Sequence, residues 1–139
     1  MIRRKKLDRT EVERVCADVL MTFPSIFAAY TRTQIMTGQL PDTPVGQRVQ
    51  NSFYADYSGD VIPVAKPYHI IIDEYSTRDA GTTHGQPYDY DVHVPVIFYG
   101  PWIKPGKYHQ PIDMADVAPT ICEILGITLP TGRDGQVLG

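Results

Sequence analysis

Apolar residues recur at helical and at strand spacing along the chain, and the alternation predicts helices and strands in turn. Near the N-terminus, Thr10 and Glu13 have the spacing of a capping box, which satisfies two backbone donors of a first helical turn. The apolar face of this first predicted helix consists of Val12, Val15, Cys16, Val19 and Leu20. Pro24 ends the helix, and residues 25–30 have the length and composition of a short buried strand.

Two further helices are predicted from the residues at their ends. Thr31 and Gln34 form a second capping signature, and Gly38 supplies a helix stop. Thr43 then caps a third helix with Pro44 at its first position, where a missing N–H costs nothing. The apolar residues on one side of this third helix are Val45, Val49 and Phe53.

Three more strands are predicted between residues 61 and 99. Val61–Ala65 and residues 68–72 are two of them, and they are adjacent enough to pair as a hairpin. Pro63 and Pro67 favour an edge position for at least one of these strands, because proline donates no ladder hydrogen bond. Residues 94–99 form the clearest strand pattern in the chain.

The last helix is predicted over residues 113–126. Asp113 or Asp116 caps it, and Pro119 is compatible with it only within the first turn. Gly126 followed by Ile127 predicts a Schellman-type end. Its expected core face consists of Met114, Val117, Ile121 and Leu125.

This order of elements predicts an α/β chain with a mixed sheet of about four strands and flanking helices. At 139 residues, the chain has the size of a single domain, residues 1–139. The sheet is a plausible half of a larger one and only marginally a complete sheet.

Composition and charge narrow the classes of function. The net charge of −3 argues against nucleic acid as the main partner, since phosphate contacts need a clustered basic face. No apolar run is long enough to span a membrane, and no signal peptide is visible, so the compartment stays open. Cys16 and Cys122 are expected to be buried free thiols, and without CxxC spacing they do not indicate a zinc site.

The segment 73–93 breaks the pattern and is the candidate functional loop. It is polar, and loops of this length within a compact domain are usually functional or disordered. It contains His84 between Thr83 and Gly85, small neighbours that leave room for an imidazole to bind a metal. From the residues alone, His84 is either a metal ligand or an ordinary surface histidine.

Several motifs together resemble one enzyme family. They are Gly-Thr-Thr-His-Gly at 81–85, Pro-Tyr-Asp-Tyr-Asp at 87–91, the segment 94–100, Asp-Val-Ala-Pro-Thr at 116–120, Leu-Gly-Ile at 125–127 and the Ser-Gly-Asp turn at 58–60. The combination resembles the C-terminal part of the type I phosphodiesterase/nucleotide pyrophosphatase branch of the alkaline phosphatase superfamily. The resemblance covers roughly residues 25–138 and is most specific around His84 and at 116–127.

The resemblance implies a site with two metal ions, usually zinc, and a Thr or Ser nucleophile that is phosphorylated in line by a phosphate ester substrate. It implies that His84 is a metal ligand. Asp89, Asp91 and His93 are the candidate outer-shell residues, with loop-structuring hydrogen bonds as their alternative role. The nucleophile and the other ligands would belong to an N-terminal catalytic region that is missing here. Hence the chain contains no catalytic nucleophile, and we expect it to be inactive alone.

Two other classes of protein stay open. A fragment of a hydrolase predicts exposed apolar surface where the rest of the enzyme packs. A stand-alone binding domain, or a degenerate relative that kept the fold, predicts a well-behaved chain or a homo-oligomer that covers such a surface. A small metallohydrolase that completes its site by self-association is a third arrangement. Superfamily members are often exported, so the resemblance does not settle the compartment. The sequence also does not choose between phosphomonoester, diester, nucleotide and sulfate ester substrates.

Overall fold

The computed structural model of the protein describes residues 7–71 and 84–139. The chain divides into two compact units, Met1–Pro95 and Val96–Gly139. In chain order the elements are α1 (Arg9–Leu20), β1 (Ile26–Thr31), α2 (Arg32–Met36), α3 (Pro44–Ser52), β2 (Val61–Ala65), α4 (Asp89–Val92), a 3₁₀ turn (Met114–Asp116) and α5 (Val117–Leu125). The α/β class is confirmed, and the description of the chain as a single domain stays a prediction.

The N-terminal unit is built on an antiparallel pair, β1 with β2. Tyr30 lies opposite Ile62, and the register shifts between Ile26 and Ala28 at a bulge. Both strands confirm their predicted positions. The mixed sheet of four strands is wrong for the described residues, which contain this two-stranded sheet.

The other two predicted strands are not formed in the part of the chain that the structure describes. Residues 68–71 do not pair with β2 as a hairpin, and Tyr68 has a φ of +63°, far from the extended backbone of a regular strand. Ile72 lies outside the described residues. Residues 94–99 are not a strand either. A strand requires a hydrogen-bonding neighbour, and β1 and β2 pair with each other.

The core of this unit lies between the sheet and the two helices that connect its strands. Its buried residues are Tyr30, Ile35, Val49 and Val64. The capping box of α2 is confirmed, with the Thr31 hydroxyl accepting from the Gln34 amide at 3.1 Å. The Thr43 cap of α3 is confirmed as well. Position 46 requires a glycine, because a Cβ there would lie 2.2 Å from the Pro41 carbonyl oxygen.

Helix α1 begins two residues earlier than predicted, and its cap is different. Asp8 is the N-cap, and its carboxylate accepts a 2.9 Å hydrogen bond from the Glu11 amide. The predicted capping box of Thr10 with Glu13 is therefore wrong. Glu13 is 1% exposed and accepts a 2.9 Å hydrogen bond from the Thr33 amide at the start of α2. The predicted capping residue instead connects two helices.

Arg9 balances the buried charge of Glu13. Its Nε lies 3.2 Å from Oε1 of Glu13, and its guanidinium also pairs with Asp60. Oε1 has no hydrogen bond among the described residues, so the contact with Arg9 is an ion pair without good hydrogen-bond geometry. The hydrogen bond to Asp60 is the main cause that raises the pKa of Arg9, and the guanidinium stays charged.

The predicted apolar face of α1 is not buried. Val15 and Val19 are 45% and 54% exposed. Cys16 is exposed too, so the burial predicted for this thiol is wrong. The side of the helix that packs on the unit carries Glu13 and Ala17. Hydrophobic spacing identified an apolar stripe, but the described residues do not cover it.

The C-terminal unit contains the last predicted helix, as a 3₁₀ turn followed by α5. Asp113 caps the turn, and Pro119 lies in the first turn of α5, as predicted. Gly126 adopts a φ of +64°, and the Ile127 amide donates to the Cys122 carbonyl at 3.0 Å, which confirms the Schellman end. Both cysteines are free thiols, as predicted, and Cys122 is only half-buried.

The expected core face of this last helix is wrong in its main members. The exposed ones are Met114, Ile121 and Leu125. Pro119 and Thr120 are the residues that α5 buries. The helix turns toward the C-terminal segment of its own unit, because the Thr120 hydroxyl accepts a 2.9 Å hydrogen bond from the Leu138 amide.

A buried carboxylate, that of Asp116, holds the C-terminal segment against the start of this helix. One oxygen accepts from the Gln136 amide at 2.8 Å and the other from the Asp113 amide at 2.9 Å. These two hydrogen bonds, in that order, lower the pKa of Asp116, because both require the ionised form. Gly135 is required beside it, since a Cβ would lie 2.0 Å from the Ala115 carbonyl oxygen.

None of the helices in the described ranges is long and apolar enough to cross a membrane.

Replacing Glu13 with alanine should destabilise the N-terminal unit by about 2–4 kcal/mol, because it leaves the Thr33 amide unpaired and removes a buried charge partner. Urea unfolding followed by circular dichroism measures the change. Glu11→Ala is the matched control on the same helix, where the carboxylate is exposed and only a small change is expected. Equal effects of the two substitutions would contradict the structural role of Glu13.

Acid should weaken the C-terminal unit through Asp116. Because its folded pKa lies below the unfolded value of about 3.9, its stabilisation is fully present above pH 4 to 5 and is lost as pH falls through the folded pKa. We expect Asp116→Asn to lower stability at pH 7 and to flatten the acid limb in urea unfolding between pH 7 and 3. Asp134→Asn, an exposed carboxylate in the same unit, should follow the wild type. An unchanged acid limb in Asp116→Asn would sink this assignment.

Candidate functional site

The predicted metal ligand, His84, begins the second described range and is exposed. Gly85 follows it with a φ of +99°, a conformation that L side chains rarely adopt. Among the described residues, apart from the two chain neighbours of Gly85, no heavy atom lies within 4 Å of the position that a Cβ would take there. The glycine is therefore required by the backbone turn and not by crowding. It lets the chain turn directly after an accessible imidazole. Most of the predicted loop 73–93 lies outside the described residues, which cover its end from His84 onward.

Asp91 closes the turn that follows His84. Its Oδ2 accepts a 2.8 Å hydrogen bond from the Gln86 amide, and its own amide donates to the Tyr88 carbonyl at 2.9 Å. The observed contact of this carboxylate is thus with the backbone two residues after His84. The outer-shell role predicted for Asp91, as a partner of the imidazole, stays a prediction.

Arg48, on α3, holds the same segment from the side. Its guanidinium donates to the Pro87 carbonyl oxygen at 3.1 Å and to Oδ1 of Asp89 at 2.7 Å. Asp89 is 86% exposed, so solvent weakens the charge attraction of this pair. The contribution of the pair is to orient the Asp89 side chain on Arg48. The observed partner of Asp89 is therefore Arg48.

Tyr88 fastens the segment to the sheet. Its ring packs against the core, and its hydroxyl donates a 2.6 Å hydrogen bond to the carbonyl oxygen of Ala65 at the end of β2. Ala65 is fully buried, so its carbonyl oxygen depends on a protein partner. Burial is the main cause that raises the pKa of Tyr88, and the hydroxyl remains a donor at neutral pH.

His93 ends the short helix α4. Its side chain is exposed, and its amide donates to the Asp89 carbonyl at 2.9 Å. The structure brings His84, Asp89, Asp91 and His93 into one short segment, but the contacts that it shows for the two carboxylates are with Gln86 and Arg48.

The donor set can be tested against the needs of a zinc ion. A catalytic zinc takes three protein ligands, usually nitrogen or sulfur with some carboxylate oxygen. Across residues 7–71 and 84–139, no group of three or more His, Cys, Asp or Glu side chains is arranged to hold a metal ion. These residues alone therefore do not fit a complete metal site. His84 supplies one accessible nitrogen donor.

Sequence reasoning missed Tyr88 and Arg48 as determinants of the site. Tyr88 belonged to the recognised Tyr-Asp-Tyr-Asp motif, which gave a signal for the segment but not for its contact with Ala65. Arg48 lies beside the apolar residue Val49 on α3 and is 39 residues from Pro87 in sequence. No local pattern marks such a long-range contact.

Comparisons with known proteins identify the relatives of the chain. No family model matches it. Alkaline phosphatase PafA of Elizabethkingia meningoseptica is 33% identical over 131 residues, 94% of this chain and 23% of PafA. Alkaline phosphatase PhoV of Synechococcus elongatus is 30% identical over 139 residues, 99% of this chain and 24% of PhoV. The chain thus spans about a quarter of the length of these relatives.

The crystal structure of wild-type alkaline phosphatase PafA has the same fold. It superposes with a TM-score of 0.79 at 31% identity and covers 99% of this chain and 25% of PafA. The matching part is the C-terminal region of PafA, in agreement with the position that the motifs indicate. The similarity of nearly the whole chain to the C-terminal quarter of alkaline phosphatases supports its assignment to the alkaline phosphatase superfamily.

Proposed function

We propose that this chain is the C-terminal portion of a metal-dependent phosphoric ester hydrolase and that His84 is one of its metal ligands. The observation that carries the proposal is the match to alkaline phosphatases over 94% and 99% of the chain, within only about a quarter of their length. A chain that corresponds to a quarter of an enzyme contributes part of a site. The nucleophile, a Thr or Ser, and the other ligands would come from the preceding region.

The way in which the His84 segment is held supports a ligand role. Asp91 fixes the backbone at Gln86, Arg48 fixes it at Pro87, and Tyr88 connects it to the sheet. A metal ligand must be held close to its productive position before the ion arrives. His84 precedes these three anchors directly and stays accessible itself.

The ion would be zinc, in a pair. A two-metal site stabilises the attacking and leaving oxygens of an in-line phosphoryl displacement. In this site the chain would contribute a neutral imidazole nitrogen. His84 is exposed and precedes the turn at Gly85, so it has room to bind the ion. Because the described residues offer no second and third donor around it, we expect the isolated chain to bind zinc weakly and to be inactive.

Exposed apolar side chains on α1, in the turn after it and on β1 support the fragment interpretation. Val15, Val19, Phe23 and Phe27 are each about half exposed. Apolar surface of this kind marks a site of contact when several such side chains lie together. The proposed occupant is the preceding region of the same enzyme. A homo-oligomer would instead cover this surface with a second copy of the chain. A stand-alone binding domain would leave it exposed.

The test of the proposal is a chimera of PafA in which residues 1–139 of this chain replace the matching quarter. We expect the chimera to hydrolyse p-nitrophenyl phosphate. His84→Ala should reduce turnover by more than about 100-fold and lower the zinc content, measured by mass spectrometry, from two ions toward one. His109→Ala, an exposed histidine of the other unit, is the matched control and should leave both unchanged. The ratio of monoester to bis-ester hydrolysis tests the phosphodiesterase branch.

Two results would contradict the proposal. Full zinc content and activity in the His84→Ala chimera would remove His84 from the ligand set. Hydrolysis by the isolated chain with added zinc, abolished by His84→Ala, would mean that this chain completes the site by itself or with a second copy.

The anchoring of the segment has its own test, Tyr88→Phe. The substitution keeps the ring and removes the hydrogen bond from the Tyr88 hydroxyl to the buried Ala65 carbonyl, at a cost of about 1 kcal/mol. We expect faster amide exchange at Gln86 and Asp91 in hydrogen–deuterium exchange read by NMR. Tyr57→Phe, a tyrosine that is 89% exposed, is the control. Wild-type protection at Gln86 in Tyr88→Phe would show that the hydroxyl does not hold the segment.

A further inference from the structure

Three tyrosine rings form a stack beside the His84 segment. Tyr68 stacks on Tyr90 with ring centroids 4.9 Å apart and an angle of 20° between the planes. Tyr90 stacks in turn on Tyr88, at 5.6 Å and 24°. We call these three residues the tyrosine stack. Its inner end, Tyr88, packs against the core and donates a hydrogen bond to β2, so one end of the stack is held in place.

The outer end of the stack is held in an unusual backbone conformation. Tyr68 is the non-glycine residue in the described ranges with a positive φ, +63°. Bulky residues rarely adopt this conformation, and where they do, the surrounding structure maintains it and the position is often functional. The Tyr90 hydroxyl accepts a 3.1 Å hydrogen bond from the Tyr68 amide, which fixes the strained residue on its neighbour.

Exposure increases along the stack. Tyr88 is half-buried, Tyr90 is 44% exposed and Tyr68 is 86% exposed. A ring held for packing alone would be covered, whereas this one presents its outer face. One ring is too small an area for a protein partner, but it suits an offset stack with a single planar aromatic group.

The tyrosine stack and His84 belong to the same short piece of structure. Tyr90 precedes Asp91, whose carboxylate holds the Gln86 amide at 2.8 Å. Two residues of chain separate Gln86 from His84, a span of at most about 7 Å. A phosphate ester bound with its phosphorus near His84 would therefore have its organic group within reach of these rings.

We infer that the outer face of Tyr68 binds the aromatic ring of a phosphate ester substrate, the ring of an aryl or a nucleoside group. This inference rests on the proposed function and adds to it a preference for aromatic over aliphatic esters. Stacking accepts any planar ring, because each has a π-face, so both sources of the ring share the site.

The experiment is an NMR titration of the full chain without metal. The probes are p-nitrophenyl phosphate, adenosine 5′-phosphate, glycerol phosphate and inorganic phosphate. We expect the two aromatic probes to shift the signals of Tyr68 and Tyr90 and the two others to leave them in place. Tyr68→Ala should weaken aromatic binding about tenfold, as expected for loss of one stacking partner. Tyr68→Phe should retain it, and Tyr99→Ala, a fully exposed tyrosine of the other unit, should bind as the wild type does.

Equal shifts with glycerol phosphate, no shift with either aromatic probe, or undiminished binding to Tyr68→Ala would each overturn the inference. The stronger of the two aromatic probes identifies the aryl or the nucleoside source. Because no metal or turnover is involved, a failure here leaves the role of His84 untouched. Conversely, an inactive chimera with normal aromatic binding would contradict only the proposed function.

Discussion

Tyr88 places its ring in the core of the N-terminal unit and its hydroxyl on the carbonyl oxygen of Ala65, where β2 ends. Everything that follows His84 in this unit depends on that contact. The Pro87 carbonyl held by Arg48, the turn closed by Asp91 and the ring of Tyr90 all lie within three residues of it. The short sheet therefore serves as the base on which the candidate ligand segment is built.

Local signals were predictable from the sequence, because their cause lies within a few residues. The caps at Thr31 and Thr43 and the glycine end at Gly126 depend on the backbone groups of a single turn, and all three are confirmed. The cap of α1 was assigned to Thr10 because the spacing to Glu13 fits a capping box. Asp8 is the N-cap instead, and the Glu13 carboxylate accepts a hydrogen bond from the Thr33 amide.

The errors share a cause: they concern contacts that a local pattern does not contain. The spacing of Val15 and Val19 identifies an apolar face but not what covers it. Residues 94–99 have a strand composition, yet a strand forms only with a neighbour. For the site, resemblance indicated His84 and its segment. The hydrogen bond from Arg48 to the Pro87 carbonyl joins residues 39 apart in sequence and could be found only in the structure.

Both units use a buried carboxylate as an acceptor for backbone amides far along the chain. Glu13 takes the Thr33 amide, and Asp116 takes that of Gln136. An ionised group in such a place is stable only while its hydrogen bonds are made, because a buried unpaired charge is costly. Each carboxylate therefore fixes one segment in one position. Several apolar side chains of α1 and α5, among them Val19 and Leu125, are by contrast left exposed by the described residues. Polar contacts set the internal geometry of this chain, and its uncovered apolar side chains are the surface through which a larger enzyme would hold it.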